Sequence, residues 1–557
     1  MPRFAVALSA LPFVLALTVS GAASAAEPAA PKLVVAISVD QFSANLFEDW
    51  RPRFTAGLKR LSGGIVYSQA YQSHAATETC PGHSVLLTGK HPSKTGIIAN
   101  SYTDPATGRM VYCVNDPSVV LAHDPKASPV GPARLMATTL GDWLKAVSPQ
   151  SRVVAVSAKD RAAINMAGHK ADGTFWLAEG VGFTTYMPPG GDAQAALKPV
   201  AALNARIAKV WTTRPTWTYR NADCKAAEAT WTINGKPWRS KLPPENWGVS
   251  DAQIKTNVSN SPIADELTGE AARELVKAYK LGQGTAPDLL AVSFSATDFV
   301  GHRYGTRGPE MCDELHRLDA TIGKLLADID KLHVPYLVVL SADHGGSDFP
   351  ERLAAQGYPM AMRVSSPEVM GRVNKALMEE FGLAKAPLTG TVEEANVVGV
   401  AEADHAKVVE AAVRDLAAQP EIAAAFTRED LLATPVRKGV PPDELSVKER
   451  FAESVYPGRS PEILAALQPE STLIPGLPGQ LLSSHGTVWN YDRRVPMLFW
   501  WPGAGAQTRF LPVETVDIAP TLAAALKIAP PSDVDGRCLP LSLTGAGQCG
   551  TGSKSGG

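Results

Sequence analysis

Five stretches of this chain are apolar at consecutive positions rather than alternate ones. They are "KLVVAISVD" (32–40), "SRVVAVSAKDR" (151–161), "PDLLAVSFSATD" (287–298), "PYLVVLSADHGG" (335–346) and "VPMLFWWPG" (495–503). A strand with one face in water alternates apolar and polar residues, whereas a continuous run needs cover on both faces. Between the runs lie helical segments such as "ATTLGDWLKAV" (137–147) and "PEMCDELHRLDATIGKLLADIDKL" (309–332). Strands alternating with helices predict an α/β fold, a mostly parallel sheet sandwiched by helices. Ligands of open α/β sheets sit beyond the carboxyl ends of the strands. Four of the five runs place polar groups there.

The length of 557 residues, 45% of them hydrophobic, is enough for a large core. With 53 basic and 55 acidic residues the net charge is −2, and no basic block suggests a nucleic-acid partner. The N-terminus has one early arginine, the apolar "FAVALSALPFVLALTV" and the small, neutral "GAASAAEP". It reads as a secretory signal peptide (1–25) cleaved near Ala25, and so as a periplasmic or secreted protein with no membrane span once mature. Residues 26–557 read as one catalytic domain. It carries a Trp-rich insertion at about 171–262 and an Ala-, Glu- and Pro-rich one with helical pieces at about 350–480. A monomer is expected. Export permits disulfides. Six cysteines allow fifteen pairings. Proximity favours Cys538–Cys549, and Cys80–Cys113 with Cys224–Cys312 would complete a set without nesting.

Asp298 and His302 stand at i and i+4, so on a helical turn they share a face and could hold one metal. Asp343 and His344 follow a strand and precede two glycines; Asp40 ends a strand; His485 lies in "LLSSHGT". Each alone is as well explained by a cap or a surface loop. Together, three acids and three histidines at the ends of one sheet form a zinc-compatible donor set. Two cations there could clamp the attacking and leaving oxygens of an in-line displacement. In "TETCPGHS" (77–84), Thr79 and Cys80 begin a helix, and Pro81 is tolerated in its first turn. A nearby metal would make the Thr79 hydroxyl a nucleophile. The helix start favours an incoming phosphate, with the Cys80 amide offered to it. Lys159-x-Arg161 at a strand end is a pair of donors spaced to suit a phosphate. His83, His91 and His169 read as structural.

Taken together, "SVDQF", "TETCPGHSVLLTGKHPSKTGIIAN", "SAKDRAA", "SATDFVGHRYG", "SADHGG" and "SSHGT" resemble the alkaline phosphatase superfamily. The matching branch is that of bacterial zinc-dependent alkaline phosphatases with a threonine nucleophile. The later "ETVDIAPTLAAAL" resembles the closing helix of the superfamily. The resemblance implies hydrolysis of small-molecule phosphate monoesters through a phosphothreonine. It implies one zinc on Asp298, His302 and His485, and a second on Asp40, Asp343 and His344 with Thr79. It implies phosphate contacts from Asn100, Lys159 and Arg161. A further structural ion such as calcium is left open. The rival within the superfamily is a nucleotide phosphodiesterase, which lacks the Lys-x-Arg pair. A sulfatase would need Cys-x-Pro-x-Arg, which is absent at Cys80. An exported metal- or phosphate-binding protein is the non-enzymatic alternative; it has no use for Thr79 as a nucleophile.

Overall fold

The computed structural model describes residues 1–2, 30–541 except 106, 214, 246, 249, 438 and 477–479, and Cys549. Nearly all of the expected signal segment lies outside the described residues. The main sheet is built from β1 (Leu33–Val39), β2 (Ile65–Tyr71), β3 (Val153–Ser157), β4 (Gly173–Ala178), β5 (Gly182–Thr184), β6 (Asp288–Phe294), β7 (Tyr336–Ser341), β8 (Arg494–Trp500), β9 (Gln507–Arg509) and β10 (Val513–Glu514). Their order is β9-β2-β8-β7-β1-β6-β3-β4-β5, with β10 beside β2. Strands β7, β1, β6, β3 and β4 are mutually parallel. Of the five apolar runs, only that of β8 departs, pairing antiparallel with both β7 and β2.

The continuous runs follow from burial on both faces. Successive side chains of a strand point to opposite sides. Leu33, Val35, Ile37 and Val39 of β1 enter one core, and Val34 and Ala36 enter another. The helices that matter below are α1 (Thr79–Thr88), α2 (Leu140–Val147), α3 (Asp160–Ala167), α4 (Pro262–Ala278), α5 (Ala296–Tyr304), α6 (Pro309–Asp330) and α7 (Ile518–Ala525). Helices α4 and α6 cover the first face through Leu267, Leu275, Leu318 and Ile322. Leu86 and Leu87 of α1, Leu140 and Leu144 of α2, and Leu522 of α7 cover the second. No helix among the described residues is long and apolar enough to cross a membrane.

The expected insertions differ from their sequence reading. The first begins inside the core, because β4 and β5 of the main sheet occupy 173–184. Its later part holds helices Ala201–Thr213 and Asp251–Ser259 and a hairpin, Ala229–Ile233 with Lys236–Ser240, and the turn before the hairpin is joined to α6 by Cys224–Cys312. The second is more than helical pieces. Leu388–Gly390, Glu394–Val397, Ile463–Leu467 and Ile422–Thr427 form a four-stranded antiparallel sheet backed by helices Ser366–Phe381 and Glu402–Ala417, with a core of its own. The three expected cysteine pairs are all present.

Candidate active site

Register brings the chemistry together. Val39 pairs with Phe294, Ser38 with Ser341, and Ser293 with Ser157. The ends of β7, β1, β6 and β3 therefore lie side by side. One to four residues on are Asp343 and His344, Asp40, Asp298, and Lys159 with Arg161. The Asp40 amide extends the ladder by donating to the Phe294 carbonyl (2.8 Å). Asp298 and His302 lie on α5 one turn apart, with His302 Nε2 3.2 Å from Asp298 Oδ1.

Each of the three candidate histidines is oriented by the backbone. Nδ1 of His302 lies 2.9 Å from the Ser483 carbonyl, Nδ1 of His344 2.8 Å from that of Gly345, and Nδ1 of His485 2.8 Å from that of Thr77. A carbonyl only accepts, so Nδ1 carries a proton and Nε2 is the ring atom left to face the carboxylates or, when deprotonated, a cation. Outer hydrogen bonds of this kind orient ligating imidazoles. The Nε2 atoms face carboxylates. His344 is 3.4 Å from Asp40 Oδ1 and from Asp343 Oδ2, and His485 is 3.4 Å from Asp298 Oδ1. Burial pushes the His344 imidazole down to about 3, which keeps that lone pair free.

The charges do not balance. Asp40, Asp298 and Asp343 are buried and share one ammonium, that of Lys159, 2.6 Å from both Asp40 and Asp298. Burial and the neighbouring Asp343 push the Asp40 carboxyl well up. Against burial, Lys159 and His302 hold Asp298 well below the usual carboxylate range, and His344 and His83 hold Asp343 below it. Oδ1 of Asp40 is buried without a hydrogen-bond partner, Oδ2 of Asp40 meets only the Lys159 ammonium, and Oδ1 of Asp298 and Oδ2 of Asp343 face only imidazole nitrogens. Unpaired buried carboxylate atoms are costly unless they coordinate a cation. Asp40, Asp343 and His344 converge within 4.8 Å, as do Asp298, His344 and His485. The donor set thus fits metal ions, with His344 common to both groups and His302 in neither. By distance His344 stands between the two groups, its ring stacked on that of His485 at 3.7 Å.

Thr79 opens α1 and is buried, with Oγ1 3.4 Å from Lys159 Nζ. The helix approaches the β7 loop so closely that a Cβ on Gly82 would lie 2.0 Å from the Asp343 carbonyl oxygen. Cys80 is in a disulfide, which leaves no thiol. The expectation for its amide is corrected: it donates to Asn100 Oδ1 (2.9 Å), and Glu78 in turn accepts the Asn100 amide (2.6 Å). That pair fixes Asn100 and leaves its side-chain NH2 as the end facing no described partner. Lys159 precedes α3, and Arg161 lies in its first turn, where Nη1 donates to the Tyr112 hydroxyl (3.4 Å). That hydroxyl donates to Asp160 (2.6 Å).

Tyr112 has no place in the sequence reading, and His83, read there only as structural, is so at the site itself. Tyr112 buttresses Arg161. His83 places Nδ1 2.8 Å from the Thr79 carbonyl and 3.1 Å from Asp343 Oδ2, with Nε2 2.8 Å from Ser293 Oγ. It links helix α1, Asp343 and strand β6. The only local signal was its i+4 spacing from Thr79. His169 is structural as expected, with Nε2 3.2 Å from the Ala137 carbonyl.

Residues 34–486 match the family model described as type I phosphodiesterase / nucleotide pyrophosphatase. The chain is 40% identical over 529 residues to alkaline phosphatase PhoD of Zymomonas mobilis, covering 93% of this chain and 89% of that one. It is 38% identical over 522 residues to alkaline phosphatase PhoK of a Sphingomonas species, covering 92% and 91%. Its fold matches the crystal structure of wild-type alkaline phosphatase PafA with a TM-score of 0.78 at 24% identity, over 91% of this chain and 98% of that one. On its strand-end donor set, its fold and these matches, the chain belongs to the type I phosphodiesterase / nucleotide pyrophosphatase family of the alkaline phosphatase superfamily, on the side of the bacterial alkaline phosphatases.

Proposed function

We propose that this protein is an exported, zinc-dependent alkaline phosphatase that hydrolyses phosphate monoesters through a phosphothreonine on Thr79. The observation that carries the reading is the buried Thr79 hydroxyl beside a strand-end cluster of three unbalanced carboxylates and three oriented imidazoles. Asp40, Asp343 and His344 would hold one zinc ion and Asp298, His302 and His485 the other; when bound, the pair supplies charge neutralisation at the phosphoryl oxygens and activation of oxygen nucleophiles. Thr79 Oγ1 attacks phosphorus in line, the bond to the leaving alcohol breaks, and the Thr79–phosphate bond is later cleaved by water. The side-chain NH2 of Asn100 and the guanidinium of Arg161 bind non-bridging oxygens. Lys159 is now the counter-ion of Asp40 and Asp298. Its flexible stem lets it turn to an incoming dianion once those carboxylates are otherwise neutralised. His83 is a positioning residue for α1. The chain acts as one catalytic domain, with the segments near 185–262 and 350–480 as additions to it. The three disulfides support export.

The family description also covers phosphodiesterases. Lys159 and Arg161 argue for monoesters, whose dianion carries the charge that two cationic donors meet. Each charge-assisted bond lost costs about 1.5–3 kcal/mol, roughly ten- to over a hundredfold in rate. The test is kcat/KM for a nitrophenyl monoester and a methyl nitrophenyl diester. The wild type should prefer the monoester. Lys159→Ala with Arg161→Ala should move the ratio towards the diester. An unmoved ratio, or a wild-type diester preference, would assign the chain to the phosphodiesterases instead.

A further inference from the structure

A second cluster of metal-ligand chemistry lies behind the nucleophile helix, where three separate parts of the chain meet. His91 follows α1, Glu514 ends β10 at the sheet edge, and Glu453 comes from the second added segment. One ligand atom of each lies within 4.8 Å of the others. His91 and Glu453 are buried at 6% and 7% exposure, and Glu453 Oε2 has no hydrogen-bond partner. That oxygen is 3.4 Å from His91 Nδ1, and Glu514 Oε1 is 3.8 Å from His91 Nε2. Ser73 Oγ, also buried, is 3.4 Å from His91 Nδ1.

These separations decide between two readings. A protonated imidazole shared by two glutamates should make charge-assisted bonds of about 2.7–2.9 Å, and neither contact is that short. An imidazole nitrogen and a carboxylate oxygen bound to one tetrahedral ion at about 2.0–2.2 Å lie roughly 3.3–3.5 Å apart. The His91–Glu453 distance matches that spacing. It also matches the 3.4 Å contacts of His344 and His485 with their carboxylates. One imidazolium, moreover, would neutralise only one of the two carboxylates, Glu453 buried and Glu514 23% exposed. Of the surrounding charges, Lys94 pairs with Asp535 and Arg537 with Asp517, while the buried Arg493 guanidinium donates to the Ser73 carbonyl (2.8 Å) and offsets part of the glutamate charge.

We propose that His91, Glu453 and Glu514, with Ser73 as a neutral donor, form a structural site for a divalent transition-metal ion, zinc or manganese, separate from the catalytic pair. An imidazole with two carboxylates suits such ions, whereas calcium takes oxygen ligands. The ion would tie the added segment to the core at the far end of α1, where the Ser93 amide already donates to the Glu453 carbonyl (2.9 Å).

The test uses the full-length protein crystallised with millimolar zinc, and separately manganese, with anomalous maps at each absorption edge. An anomalous peak bonded to His91 and a glutamate is expected, besides those at the strand ends. Metal analysis of Glu453→Gln, or of Glu514→Gln should the first not fold, should show one equivalent fewer than wild type with monoester turnover retained. Peaks at the strand ends alone would overturn this site and leave the catalytic reading standing. A peak at His91 alone would do the reverse. Equal metal content in a folded variant would likewise overturn the site.

Discussion

Thr79 is the residue on which the proposed chemistry turns. Its hydroxyl begins α1, 3.4 Å from the Lys159 ammonium that bridges Asp40 and Asp298, and Cys80 beside it is tied into a disulfide. Thr79→Ala should therefore lower kcat by on the order of 10³-fold or more while the protein keeps its bound metal. The check is turnover of a nitrophenyl monoester alongside metal content. Substantial turnover in the metal-loaded variant would place the nucleophile elsewhere. The neighbouring side chains were legible in the sequence as types and in order, because ligands at strand ends follow directly on apolar runs. The bond from the Cys80 amide to Asn100 was not legible, since the chain has to turn back over a separation of 20 positions to make it.

Helix α1 is placed by one contact between elements. Gly82 lies against the Asp343 carbonyl where a Cβ would be 2.0 Å away, and backbone on both sides cannot yield. Gly82→Ala should push α1 from the β7 loop, separating Thr79 from Asp343 and His344. A fall in kcat of tenfold or more is expected, with a stability loss of about 1–3 kcal/mol. Parallel kcat and melting measurements check it; values equal to wild type would mean that the helix has room to spare. Helix α6 carries a second device. Glu310 in its first turn is buried and accepts from Ser240 Oγ (2.6 Å) and the Lys241 amide (2.9 Å), fastening the Trp-rich hairpin. Burial lifts its carboxyl from 4.5 to about 7. A raised acid favours the fold while protonated. The contribution is full below pH 4.5 and is lost as pH rises through about 7, on the order of 3 kcal/mol in all. Glu310→Gln should flatten the decline in unfolding free energy between pH 5 and 8. Denaturant titrations of both proteins at the two values check this, and identical slopes would contradict it.

Across the molecule, the site depends on cations that its own side chains do not supply. Three buried carboxylates share one ammonium, so removing metal leaves uncompensated charge at the centre of the sheet edge. Chelation should abolish turnover and lower the melting temperature, and added zinc should restore both. An ion at a thousand times its Kd contributes about 4 kcal/mol. Full activity and an unchanged transition in demetallated protein would refute the metal dependence.

The strand runs, the helical periods and the i, i+4 pair of Asp298 and His302 are local features, and burial demand writes them into neighbouring positions. The α/β class and the donor types were accordingly readable from the sequence, whereas of the cysteine pairs only Cys538–Cys549 had proximity to favour it. The neighbours of each strand were not. That β8 runs antiparallel, that β4 and β5 belong to the core, and that residues 388–467 build a sheet all depend on distant side-to-side pairing. So do the Lys159 ammonium between Asp40 and Asp298 and the meeting of His91 with Glu453 and Glu514. A chain's local pattern says which faces must be buried; which distant segment buries them is settled by three-dimensional packing, where contacts span hundreds of residues and no period records them.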